Sequence, residues 1–292
     1  MATSKSRRYR IVFAVCHPDD EAIWVGGLLH ELSEIPYIQA YVVCLSGRDP
    51  NSPRDHEFQA ARTEAGYAGG IVLGFPLRPA PQPLPNTPQT LQEGLKLLGL
   101  ELADVDLLLT HSPYGDEQLH PHHVQTHREL KSWSVEAAIP FGYFSCLPIP
   151  HFRLTPILTE VRRSGTLHLL QMSRCSHVLS PEDRTRQAPT GFEDCPAYYL
   201  QFATDLDAKL RMLGHYTSIG LESHACNYTM FTNPCEAIYL MDERAYQPFK
   251  AIIEDMKVRA AVQILKIPDP PPPAAAPPPP PLWRRMLRCL AS

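Results

Sequence analysis

The chain has no long apolar run, no dinucleotide fingerprint, no paired cysteine motif and no excess of basic charge, and each absence closes off a class of protein. The first apolar run, Ile11 to Val15, is too short for a signal-peptide core or a membrane-spanning helix, so a cytoplasmic location is expected. No G-x-G-x-x-G accompanies Gly26-Gly27 of the first predicted helix, which argues against a dinucleotide site; the glycine pair would instead let that helix lie close against a sheet. The 8 cysteines form no C-x-x-C pair and no compact framework, a pattern that fits reduced, mostly buried thiols. A net charge of -4 and a pI near 6.3 argue against general nucleic-acid binding, which usually shows as a basic face and a high pI. The basic start, Lys5 to Arg10, reads as a solvated flank.

What is present is ample material for one α/β core: 292 residues, 44% hydrophobic and 20% charged. The pattern predicts strands at 10–16, 38–45, 70–74 and 105–110, alternating with helices at 21–34, 55–67, 89–98 and 121–138. Further strands are expected near 142–147 and 235–241, and helices near 205–213 and 245–265. Strand and helix in this rhythm mean a Rossmann-like, mostly parallel sheet with helices on both faces, over residues 1–267. Prolines at 76, 79, 81, 83, 85 and 88 make a stiff loop, a candidate wall for a cleft. Residues 268–281 hold ten prolines and read as an extended linker. Residues 282–292 carry three arginines and no acid, with apolar residues at 282, 286, 287 and 290, so a helix there would be basic and amphipathic, suited to an anionic membrane surface or a protein partner. A disordered tail is the plain alternative, since eleven residues are marginal for an isolated helix.

The chemistry is concentrated in two places. Directly after Val15 comes Cys16-His17-Pro18-Asp19-Asp20-Glu21, with one imidazole and three carboxylates in five residues. Such groups repel and desolvate one another unless a cation joins them, and a divalent metal held by His and Asp is the simplest. Taken alone the segment reads equally as a turn and helix start, because Asp is a good N-cap and Glu suits a first turn. The second place is His120-Pro121-His122-His123-Val124-Gln125-Thr126-His127, after the apolar run at 105–110. In a parallel α/β sheet both segments end at the carboxyl edge of their strands, where they can meet and complete a donor set.

This pair of motifs resembles the LmbE-like, or PIG-L, family of zinc-dependent N-deacetylases, marked by Ala-His-Pro-Asp-Asp-Glu near the N-terminus and His-Pro-Asp-His further on. The likeness spans roughly residues 8–240, and its specificity lies in the two motifs. It implies an LmbE-like fold and metal ligands at His17, Asp20 and His123, with zinc or another divalent ion and one position left open. It further implies a general base at Asp19 and an oxyanion-stabilising His120. The implied reaction removes the acetyl group of an N-acetylated amino sugar, such as an N-acetylglucosamine glycoconjugate. Cys16 occupies the family's Ala position and reads as a small packing residue, although a thiolate would be an excellent ligand.

Departures from the family pattern bear on the substrate. His122 stands where the family has Asp, and Asp116 or Glu117 is the candidate replacement. The family's Thr-x-Gly-Glu turn appears as Leu45-Ser46-Gly47-Arg48, and its Gly-aromatic-Pro-Asp as Gly74-Phe75-Pro76-Leu77. Arg48, Tyr114 and Asp116 are the candidate substrate contacts. His122 and His127 are expected just behind the ligands, although His123 and His127 at i, i+4 could also serve a separate site. His111 reads as a hydrogen-bonded residue at the strand end. The segment from Asp207 to Ser218 resembles a Lys-containing helix and Tyr-x-Ser end late in the family, and a plain amphipathic helix explains it equally. The missing carboxylates leave two alternatives open: an inactive, metal-holding glycan binder, and a hydrolase of another N-acyl group.

Overall fold

The computed structural model describes residues 7–47, 53–75, 84, 86–113, 115, 120–145, 168–174, 196–219 and 235–259. Strands β1 (Tyr9–Val15), β2 (Ile38–Ser46), β3 (Gly69–Phe75), β4 (Leu107–Thr110) and β5 (Phe141–Phe144) are joined by β6 (His168–Arg174), β7 (Tyr198–Ala203) and β8 (Cys235–Leu240). They form one eight-stranded sheet in the order β3-β2-β1-β4-β5-β8-β7-β6. The first five of these run parallel, and β8, β7 and β6 continue the sheet by antiparallel pairing.

Side-chain alternation divides the core into two layers. Ile11, Phe13 and Val15 of β1 point into a cluster with α1 (Asp20–Ser33), α2 (Arg54–Ala65), α5 (Leu206–Gly214) and α6 (Glu243–Arg259). Val12 and Ala14 point the other way, against α3 (Thr87–Leu97) and α4 (Pro121–Glu136). Strand β1 is therefore apolar at every residue from Ile11 to Val15, as a central strand covered on both faces must be. From β1 the chain moves outward through β2 and β3, then returns to add β4 on the opposite side of β1. This is the switch point at which open α/β sheets form ligand crevices beyond the strand ends. The register sets Ala14 beside Thr110, so the residues that follow each strand emerge together.

The parallel half and its helices match the predicted elements to within about three residues at either end. Two differences have local causes. Strand β4 begins at Leu107, not 105, because a 3-10 turn over Leu102–Asp104 feeds into it. The proline-rich segment yields to helix α3 at Thr87, where the Asn86 side chain accepts the Gln89 N–H and Pro88 fits the first turn. Strands β6 and β7 were not anticipated.

Gly26-Gly27 accompany a break in α1 as well as a close approach. Val25 leaves helical geometry (φ -140, ψ 17), and the Gly27 and Leu28 N–H groups beyond it donate to the Glu236 carboxylate of β8 at 3.2 and 2.6 Å. Glu236 is also paired with Lys209 of α5 at 3.0 Å, both side chains being buried. Burial pushes the Glu236 carboxyl up, and the Lys209 ammonium and the two N–H donors oppose that. A Cβ on Gly27 would lie 2.6 Å from the Thr204 Cβ, so only glycine lets α1 pass the end of β7. Among the described residues no helix is long and apolar enough to cross a membrane. Cys16, Cys44 and Cys235 are buried thiols. The linker 268–281, the tail 282–292, and prolines 76, 79, 81, 83 and 85 lie outside the described residues.

Candidate metal centre

The two motifs converge at the switch point. His17 follows β1, Asp20 opens α1, and His123 lies in the first turn of α4. Asp20 Oδ2 is 3.3 Å from His17 Nδ1 and 3.3 Å from His123 Nε2, and those two nitrogens are 3.4 Å apart. Donors about 3.3–3.4 Å apart are the edges of a tetrahedron around an ion with bonds of about 2.0–2.1 Å. The three atoms thus match one face of a zinc-type site.

Hydrogen bonding supports a cation here. Asp20 Oδ2 already accepts the His17 backbone N–H at 2.7 Å, and Trp24 donates to Oδ1 at 3.3 Å. His111 Nε2 accepts the Cys16 N–H at 3.0 Å and also lies 3.4 Å from Asp20 Oδ2. A ring nitrogen that accepts one N–H cannot donate to a carboxylate as well, so this contact sets two electron-rich atoms against each other. Burial pushes the His111 imidazole down to about 3, which keeps it neutral. For Asp20, burial favours the neutral acid, but His123 above all, with His17 beside it, holds the carboxyl well below its ordinary range.

Cys16, Asp20, His111 and His123 place ligand-type atoms within 4.8 Å of one another, a buried group compatible with a metal site. Sequence reasoning put His111 at a strand edge and Cys16 among packing residues. Cys16 Sγ lies 3.0 Å from Thr126 Oγ1, and the His111 ring stacks on His123 at 3.9 Å. Cys16 is marked by its place directly before His17, whereas His111 is brought to the group only by the β1–β4 register.

Asp19 occupies the N-cap position of α1 yet makes no side-chain capping bond, so its carboxylate is not spent on helix initiation. Its backbone sits at φ 137, ψ -28, a conformation that L-residues rarely adopt and that clusters at functional sites. Burial, with Asp20 and Glu21 adding like charge, raises its carboxyl well above the usual range, and the Arg54 guanidinium works against that. Glu21 is fully buried behind it; it receives the Asp19 N–H at 3.2 Å and the Tyr216 hydroxyl, and burial raises it to about 7.

His120 caps α4, its Nδ1 accepting the His122 N–H at 3.3 Å, which leaves the proton on Nε2 as a donor. Burial, reinforced by His17 and His123, lowers it to about 4, so it is a neutral donor at pH 7. The His122 ring turns instead to His17, with Nδ1 3.1 Å from His17 Nε2. His127 packs edge-on against Phe141 and Tyr143 and donates Nδ1–H to the His111 carbonyl at 2.8 Å. It therefore braces the β4 end rather than pointing at Asp20. The Asp207–Ser218 segment also has structural partners: Lys209 meets Glu236, Tyr216 meets Glu21, and Thr217 and Ser218 bind Glu57. Arg48, Tyr114, Asp116, Glu117 and Leu77 lie outside the described residues.

No family model and no curated relative matches the sequence. Among solved structures, the chain is similar to the A40926 pseudoaglycone deacetylase Dbv21, with 16% identity over 80% of this chain and 97% of that one and a TM-score of 0.48. It is also similar to N,N'-diacetylchitobiose deacetylase from Pyrococcus horikoshii, with 16% identity, coverage of 52% and 68%, and a TM-score of 0.34. A third likeness is to GalB, the 4-carboxy-2-hydroxymuconate hydratase of Pseudomonas putida, with 14% identity, coverage of 80% and 96%, and a TM-score of 0.38. Likenesses at this level leave the chemistry to be read from the side chains around Asp20.

Proposed function

We propose that the chain is a divalent-metal-dependent N-deacetylase, with zinc as the metal and the acetamide of an N-acetylated amino sugar or glycoconjugate as the substrate. The observation that carries this reading is the triangle of His17 Nδ1, Asp20 Oδ2 and His123 Nε2 at the sheet's switch point, with Asp19 beside it and His120 at its rim. In this reading those three atoms hold the ion. When bound, the ion supplies Lewis acidity, which polarises a carbonyl and makes water a nucleophile at neutral pH.

The protein groups do the rest. Asp19 takes a proton from the attacking water as the new C–O bond forms, and a raised carboxyl is well matched to accepting and then returning a proton. The neutral His120 donates Nε2–H to the carbonyl oxygen as it gains charge. Asp19 then protonates the amine nitrogen as the C–N bond breaks, giving acetate and a free amine. An amide needs this step because an unprotonated nitrogen is too basic to leave.

The test is metal analysis of the purified protein together with acetate release from a panel of N-acetyl sugars in free, lipid-linked and nucleotide-linked forms. Asp19→Asn should keep the metal and lose at least about 100-fold in turnover. An active Asn variant, or a metal-free wild type, rules the mechanism out. Release of a longer acyl group in place of acetate would move the substrate class and leave the chemistry standing. We place this activity in residues 1–267 and in the cytoplasm, with the basic tail at 282–292 as a peripheral membrane contact near a lipid-linked substrate.

A further inference from the structure

A second set of donors stands in front of the first. His17, His120 and His122 bring three ring nitrogens within 4.8 Å of one another. His17 belongs to both sets: Nδ1 faces Asp20 and His123, while Nε2 faces His122 Nδ1 at 3.1 Å. The inner donors Cys16, Asp20, His111 and His123 are buried, whereas His17, His120 and His122 are partly open to solvent. The His120 ring completes the rim, 4.7 Å from the His17 ring and 5.1 Å from the His122 ring.

We propose that this rim is a second cation site, formed by His17, His120 and His122, that takes a borderline transition metal such as Zn2+ or Cu2+. The donor chemistry excludes the hard cations: three imidazoles and no carboxylate suit zinc, copper or nickel and are poor ligands for magnesium or calcium. The spacing fits as well, since two nitrogens 3.1 Å apart are spanned by bonds of about 2.05 Å at an angle of about 100°. A cation between His17 Nε2 and His122 Nδ1 replaces the proton that otherwise joins them, and that proton leaves to solvent. With an ion also on Nδ1, the His17 ring bridges two like charges, so the rim binds more weakly than the inner triangle. His122 is essential to the rim: a side chain without a donor atom at that position leaves two ligands instead of three.

Occupation of the rim also engages His120. Its Nε2 proton moves to Nδ1, at the expense of the bond Nδ1 accepts from the His122 N–H, so Nε2 becomes the ligand. The donor assigned above to the carbonyl oxygen is then lost, and excess metal should therefore inhibit turnover. That consequence rests on the deacetylase reading. The binding itself does not.

The experiment is a Zn2+ titration, by calorimetry and by equilibrium dialysis with metal analysis, on full-length protein first stripped with a chelator. Wild type should bind two equivalents, the second more weakly. His122→Ala and His122→Leu should each keep the tight equivalent and weaken the second by at least about 10-fold. Asp20→Asn should do the reverse. A Cu2+ spectrum showing several coordinated nitrogens in wild type and fewer in His122→Ala would identify the ligands directly. One equivalent only in wild type, or a second equivalent of unchanged affinity in both His122 variants, overturns the rim site. If the rim binds while Asp20→Asn leaves the tight equivalent untouched, the inner-site reading fails and this one stands. His122→Leu, which fills more of the imidazole's space without a donor atom, carries the comparison if the Ala variant does not fold.

Discussion

Asp20→Asn separates coordination from hydrogen bonding, because it keeps the side-chain shape while exchanging an anionic oxygen for a neutral amide. In the structure Oδ2 of Asp20 meets one backbone N–H and three ring nitrogens within 3.4 Å. An amide oxygen can keep the His17 N–H bond, so the loop after β1 should survive. Its role toward a cation should not. Structural zinc sites with four protein ligands bind with about 10–16 kcal/mol, or about 2.5–4 kcal/mol per ligand. Loss of one strong ligand of three therefore predicts a zinc affinity about 100- to 1000-fold weaker. Competition against a chromophoric chelator measures this directly, with circular dichroism to confirm the fold. Wild-type affinity in the Asn variant would mean that the triangle is a hydrogen-bond network and that the ion, if there is one, sits elsewhere.

Removing the His120 donor with His120→Ala should slow turnover by about 10- to 1000-fold with the tight zinc still bound; loss of that zinc would make His120 a ligand instead. His127 is held neutral, its imidazole lowered from 6.5 to about 4 mainly by burial, so the unfolded chain takes up a proton that the folded chain refuses. Its contribution to stability is fully present above pH 6.5 and declines as the pH falls toward 4, by about 3 kcal/mol in all. His127→Gln should flatten that limb in urea unfolding at pH 7.5 and 5.0, and parallel losses in the two proteins would contradict it. Lys209→Met strands the buried Glu236 carboxylate and should cost about 3–5 kcal/mol, whereas adding Glu236→Gln should restore most of it. Additive losses in the double variant would show that the two side chains are not coupled.

The sequence made some of this legible and hid the rest for physical reasons. The two motifs stand out because their chemistry is crowded into a few residues, and β1, β4 and α4 announce themselves by apolar runs and by Pro121. His111 carries no such mark, because its partner Cys16 is 95 residues away and only strand register brings them together. The direction of His122 was equally hidden: a resemblance that aligns it with an Asp beside His120 says nothing of a ring that turns to His17. Strands β6 and β7 pair with each other and with β8 across long connections, so no local strand–helix rhythm signals them. Gly26-Gly27 reads as a close-packing device, which Thr204 bears out, but the break at Val25 depends on Glu236, a residue no local pattern links to α1.

That break has a consequence for how the site comes into being as the chain is made. Every proposed ligand lies before residue 124, so a nascent chain that has reached the end of β5 already owns the whole donor set. It does not yet own Glu236, which receives the second half of α1, or Tyr216, which holds Glu21 next to Asp20. A ribosome-bound intermediate stalled after Phe144 would therefore present the right side chains on an unseated helix. Selective metal capture would become a late event in synthesis, completed when α5 and Glu236 of β8 pack against α1.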